Sequence, residues 1–168
     1  MRAITIYQPW ASLIAVSAKT YETRSWATRY RGPIAIHAGK KKPSAIMTAE
    51  DIDIIIPAMG RAFGMQERSI INIIKYLDSL PIGAVIATAE LVGCWKCIGP
   101  DRRGDLMLHN GLEGMAADNW YIGDDELLFG DFSEGRYAWE LANVQMLPEP
   151  VPARGQQRLF NIDLEDLK

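Results

Sequence analysis

The chain has 168 residues, 48% of them apolar and 23% charged, with a net charge of −3 and two cysteines. That is enough for one domain with a substantial core and too little for two ordinary ones, in a composition typical of soluble globular proteins. No segment reaches the roughly 20 apolar residues of a membrane span, and the N-terminus carries no signal-peptide pattern, so the expected location is cytoplasmic.

Ala3 to Tyr7 alternates as a strand and stops at Gln8-Pro9-Trp10, where Pro9 suits the first turn of a helix carrying Trp10, Leu13, Ile14 and Ser17 at helical spacing. Tyr21 to Trp26 is a predicted strand, and Gly32-Pro33 is a turn before another strand over Ile34 to His37. A helical pair follows. Its first member runs from about Thr48, as N-cap, to about Phe63, stopped by Gly64 and broken or kinked by Pro57. The second runs from about Gln66 to Leu77.

Ala84 to Trp95 is the longest strand signal, with Val85, Ala87, Ala89 and Leu91 on one face and Thr88 and Glu90 on the other. From about 99 to 133 the periodicity is weak and the composition rich in Gly, Asp and Asn. This predicts a long acidic loop, with a short helix near Leu112 to Asn119. Arg136 to Met146 is a strand that turns Tyr137, Trp139 and Leu141 inward, and Gln157 to Ile162 is a short closing strand. Five to six strands with segregated helices indicate an α+β fold, a small mixed β-barrel with a helix after the first strand and a helical insert at about 43–79.

Charge is unevenly distributed. Lys19, Arg24, Arg29, Arg31 and Lys40 to Lys42 stand against Glu22 alone, a local +6, whereas Glu113 to Glu134 carries seven acids and no base. Such polarity can present an anion-attracting face on an acidic protein. For Lys40, Lys41 and Lys42 the plain reading is a solvated loop. The cysteines form a lone CxxC, Cys94 to Cys97, at the end of a strand. A zinc site would need two more ligands, for which His37 and His109 are the candidates, so the thiols are read as structural and no metal or cofactor is expected.

On the strand over Tyr21 to Trp26, Thr20, Glu22, Arg24 and Trp26 share one face, with Lys19 at the turn before it. Arg24 offers a planar fork for a phosphate or base edge, and Glu22 can orient it or accept from an exocyclic amine. Trp10 or Trp26 offers a stacking face, and Gln8 both a donor and an acceptor. Each has a plainer reading: Lys19 complementing a helix end, Glu22 and Arg24 as a minor ion pair, Trp10 as core. His37 lies on the opposite parity from Ile34 and Ile36, as a pocket group or a satisfied histidine. Arg154, Gln156 and Gln157 are either the far wall of a cleft or loop residues.

The ordered set QPWASL, Lys19-x-x-Glu22-x-Arg24, Trp26, YRGPIAIHA, LPIGAVIATAELVGC, GRYAWEL and PVPARGQQRLFNI resembles the ASCH (activating signal cointegrator homology) domain, a member of the PUA-like superfamily. The resemblance implies one ASCH/PUA-like domain over 1–168 that recognises single-stranded RNA, or a flipped or modified nucleotide, in a Lys19/Glu22/Arg24 cleft. Gln8, Trp10, Trp26 and His37 join that cleft as ligand-binding candidates. The sequence departs from the family at Ser17-Ala18-Lys19, where Gly-x-Lys is usual, so the turn must form without glycine. Relatives that hydrolyse N4-acetylcytidine have a threonine nucleophile where this chain has Glu22. The alternative function is a hydrolase acting on RNA phosphodiesters or an acylated nucleoside, with Lys19 as general base and Glu22 as acid or water-orienter. The partner is RNA or another single-stranded nucleic acid, and no membrane.

Overall fold

The computed structural model describes residues 1–65, 69–100, 106–109, 120–122 and 124–163. The elements in chain order are β1 (Arg2–Ile6), α1 (Trp10–Ala15), β2 (Tyr21–Arg24), β3 (Gly32–Ala38), a 3-10 turn (Pro43–Ala45), α2 (Ala49–Ala62) and α3 (Ile70–Asp78). After these come β4 (Ala84–Pro100), β5 (Leu106–His109), β6 (Trp120–Tyr121), α4 (Asp124–Leu127), β7 (Tyr137–Pro152) and β8 (Leu159–Asn161). The class is mixed α+β, as expected, with eight strands among the described residues where five or six are predicted. No helix among them is long and apolar enough to cross a membrane.

The chain divides into two compact units, Met1–Lys19 with Pro33–Ala89 and Asn143–Lys168, and Thr20–Gly32 with Glu90–Ala142. In the first, β1 runs parallel to β3 with Ala3 opposite Ala35 and Thr5 opposite His37, and antiparallel to β8. The neighbour of β3 on its other side is β4. Ala3, Ala35, Val85, Phe160 and Ile162 form one buried cluster, while Ile4, Ile6, Ile34 and Ile36 are buried on the other parity. These strands are therefore covered on both faces, which explains their near-continuous apolar sequence. Each buried isoleucine contributes about 1.5–3 kcal/mol.

The short α1 exists because its ends are satisfied from outside. Gln8 Oε1 accepts from the Ser12 amide at 3.0 Å, answering one of the first-turn donors that a helix leaves open. At the other end Ser17 adopts φ +59°, and the amides of Ala18 and Lys19 both donate to the Leu13 carbonyl, at 2.9 and 3.1 Å. This is a left-handed helix stop built without glycine. Helix α2 ends as expected, with Gly64 at φ +63°, but it continues through Pro57 rather than breaking there.

In the second unit β2 pairs antiparallel with β7, and β5 links β4 to β6. Its core holds Cys97, Leu108, Ile122, Phe132 and Ala138, with Tyr21, Trp95 and Leu127 packed against them. The predicted long loop is thus partly ordered structure: β5, β6 and α4 lie within it. The short helix predicted over Leu112 to Asn119 falls outside the described residues. Strand β4 extends five residues past Trp95 to Pro100, and β2 stops two residues early, because the chain bends at Ser25 and Trp26.

Candidate nucleic-acid interface

The alternation of β2 sorts its side chains as the sequence predicts. Tyr21 faces the unit's core, and burial together with the carboxylates Glu140 and Glu126 raises its phenol above the usual value. Glu22 and Arg24 occupy the other face, opposite Trp139 and Tyr137 on β7. Arg24 Nη2 lies 3.0 Å from Glu22 Oε1, with the arginine side chain 24% exposed and the glutamate 11%. Although Trp26 lies beyond the strand end, its ring meets Trp139 edge-on at 4.5 Å, and Trp139 Nε1 donates to its carbonyl at 3.2 Å. Trp139 itself is fully buried, the core position expected of it. Glu22 and Arg24 therefore share one face of β2 with Trp139 opposite Glu22, and Trp26, just past the strand end, packs on that same Trp139.

The start of β2 is held by a residue that the sequence does not single out. One Glu126 oxygen, Oε2, accepts from the Thr20 amide at 2.8 Å and the Thr20 hydroxyl at 2.9 Å, while Oε1 accepts from the Tyr21 amide at 3.0 Å. The Thr23 hydroxyl accepts from the Asp131 amide at 3.1 Å. Two residues of the acidic stretch thus spend polar atoms on β2. No local pattern signals a pairing across 106 residues.

The remaining candidates lie in the first unit. Lys19 is 1% exposed, at the stop that ends α1. Gln8 is fully buried and commits both ends of its amide, Oε1 to Ser12 and Nε2 to the Pro81 carbonyl at 2.7 Å. Trp10 opens α1, half-buried. His37 is 1% exposed, with Nε2 3.1 Å from the Ala153 carbonyl and Nδ1 without a hydrogen-bond partner among the described residues. Burial, partly opposed by the Ala153 carbonyl, lowers its basicity. Arg154, Gln156 and Gln157 are exposed.

The thiols are free and sit on β4: Cys97 is buried, and Cys94 accepts from the Thr28 amide at 3.5 Å. Burial raises both, Cys97 to about 11, which disfavours the reactive thiolate. No cluster of three metal-ligating side chains occurs among the described residues.

Residues 4–150 match the family model of the ASCH domain. The chain is 30% identical over 91 residues to human activating signal cointegrator 1, and 29% identical over the same length to the mouse protein. The matched region is 54% of this chain but 14% of either relative, so the likeness concerns one part of much longer proteins.

Proposed function

The chain belongs to the ASCH domain family, and from that premise we propose that it binds single-stranded RNA, taking an unpaired or flipped-out nucleotide against the Glu22 and Arg24 face of β2 and the Trp26 that follows it. In this reading residues 1–168 are one ASCH/PUA-like domain, and the family match runs through segments of each unit. The observation that carries the proposal is the Arg24–Glu22 pair, 3.0 Å apart on one face of β2, with Trp26 following the strand and a quarter of the arginine side chain left to solvent.

A carboxylate beside a guanidinium fixes the orientation of its planar fork, the geometry that a phosphate or a base edge recognises. Glu22 can also accept from the exocyclic amine of cytosine or adenine, giving discrimination among unpaired bases. Trp26 supplies apolar surface beside them. Arg29 and Arg31, both exposed, continue the positive charge along the same segment. In the first unit the half-buried Trp10 is the proposed contact and the buried Lys19 contributes charge from beneath the surface, while Gln8 and His37 act by holding the backbone at Ser12, Pro81 and Ala153.

Fluorescence anisotropy with labelled single-stranded RNA and DNA across a salt series tests this. Expected are affinity that falls with salt and a loss of about tenfold or more for Arg24→Ala, the usual scale for one charge-assisted contact. Absence of binding, or a binding constant indifferent to salt, overturns the reading. Turnover of RNA or of an acylated nucleoside that disappears in Lys19→Ala would instead make the protein a hydrolase.

A further inference from the structure

Lys40, Lys41 and Lys42 are all exposed, as expected of a solvated loop, and Lys40 and Lys41 lie against defined neighbours. The Lys40 stem lies along Gly83, where an added Cβ would stand 3.2 Å from its Cγ. Lys41 Nζ sits 5.5 Å from the centroid of the Tyr7 ring. Lys42 adds to the charge around Asp78, whose carboxylate accepts from the Ser44 amide and hydroxyl at 3.0 and 2.6 Å. Tyr7 follows β1 and is 43% exposed, and its ring crowds Gly39 so closely that a Cβ there would come within 2.6 Å of Cδ1. The Gly39 amide donates to the Ile6 carbonyl at 2.8 Å, which fixes that glycine beside the residue preceding Tyr7. All of these groups belong to the first unit.

We infer that Tyr7 and Lys40–Lys42 form a second contact surface for single-stranded nucleic acid, with the ring stacking a base and the ammonium groups neutralising neighbouring phosphates. This extends the RNA-binding reading above and rests on it. A partly exposed aromatic beside exposed cations is what sequence-tolerant single-strand binders use, since every base has a flat face and every linkage a charge. An acidic peptide would use the lysines and ask little of the ring, and an anionic membrane would take the ring as an interfacial anchor rather than as a stacking face.

The test measures binding of a labelled single-stranded RNA across a salt series for the whole chain and its variants, with circular dichroism confirming the fold. Lys40→Gln, Lys41→Gln and Lys42→Gln together are expected to flatten the slope of log affinity against log salt by about 2, at about 0.7 per phosphate contact. Tyr7→Leu is expected to weaken binding roughly 5- to 150-fold, while Tyr7→Phe keeps wild-type affinity. Should Tyr7→Leu fail to fold, photo-crosslinking of a 4-thiouridine oligonucleotide to the Tyr7 peptide of the wild-type chain answers the same question. An unchanged slope in the triple variant, or lysine dependence with no effect of the ring and no crosslink, overturns the proposal. If Arg24→Ala is silent while these variants lose binding, the β2 reading falls and this surface stands. The reverse pattern removes this surface alone.

Discussion

Glu126 grips Thr20 twice through a single oxygen, taking both the backbone amide and the hydroxyl immediately before β2 begins. Its other oxygen takes the Tyr21 amide. A two-turn-free element such as α4 has little helix stability of its own, so this carboxylate links a short acidic segment and an edge of the sheet that each need the other. Because β2 carries Glu22 and Arg24, order at its start bears directly on the proposed ligand face.

Glu126→Ala should therefore destabilise the chain by about 0.5–1.5 kcal/mol, since water can serve the exposed Thr20 donors and only the Tyr21 amide is part-buried. Urea unfolding monitored by tryptophan fluorescence measures it. Glu126→Gln keeps an acceptor and should recover part of the loss. An unfolding midpoint unchanged in Glu126→Ala would mean that solvent serves the Thr20 and Tyr21 amides equally well.

What could be read from the sequence follows from how local each signal is. β1, β3 and the first half of β4 announce themselves by apolar runs, and the parity of Glu22 against Tyr21 follows from strand geometry alone. β5 and β6 are four and two residues long, too short for any period to show, and their pairing is set by partners distant in the chain. The burial of Lys19 and Gln8, and the reach of Glu126, are tertiary facts of the same kind. Tyr7 carried a weak sign, an aromatic residue on the Thr5 parity rather than that of Ile4 and Ile6.

Ser17 turns a departure from the family pattern into a measurable cost. At φ +59° a serine Cβ crowds its own backbone, by about 1–2 kcal/mol relative to glycine. Glycine, in turn, loses more chain entropy on folding, which offsets part of that gain. Ser17→Gly is expected to stabilise the chain by about 0.5–1 kcal/mol and Ser17→Val to destabilise it by more than that, both by chemical denaturation. Equal stability of all three would show that the helix stop relaxes elsewhere.

Trp139 and Trp26 share an edge-on contact but differ in what surrounds them. Trp139 is fully buried, so Trp139→Ala leaves a large cavity and should cost about 3–5 kcal/mol. Trp26 is half-buried, so Trp26→Ala should cost less, about 1–2 kcal/mol, from the ring pair and partial burial. If the proposed ligand face is right, Trp26→Ala also lowers RNA affinity while remaining folded. Stability and affinity measured on the same preparations separate the two effects, and an RNA affinity untouched by Trp26→Ala removes Trp26 from the ligand face.

His37 supplies a pH dependence whose sign is determined. Burial holds its imidazole below the ordinary value of 6.5, against the opposing pull of the Ala153 carbonyl, and Lys40 disfavours the cation further. In the unfolded chain the ring takes up its proton near the ordinary value, but in the folded chain only at lower pH. Between those two points the unfolded state binds more protons, so stability is flat above about 6.5 and falls as pH drops from there through the folded value. Two aspartates are displaced in a separate window. For Asp78 the Ser44 hydrogen bonds outweigh the opposing burial, and for Asp131 the Ser133 hydroxyl leads. Both therefore titrate below their ordinary 3.8, and their contribution disappears only in stronger acid. Urea midpoints from about pH 7.5 to about pH 5 should accordingly decline in the wild type and flatten in His37→Gln, whose amide can still donate to Ala153. A wild-type midpoint constant across that range, or a decline that persists unchanged in His37→Gln, would show that the imidazole is not the group being titrated.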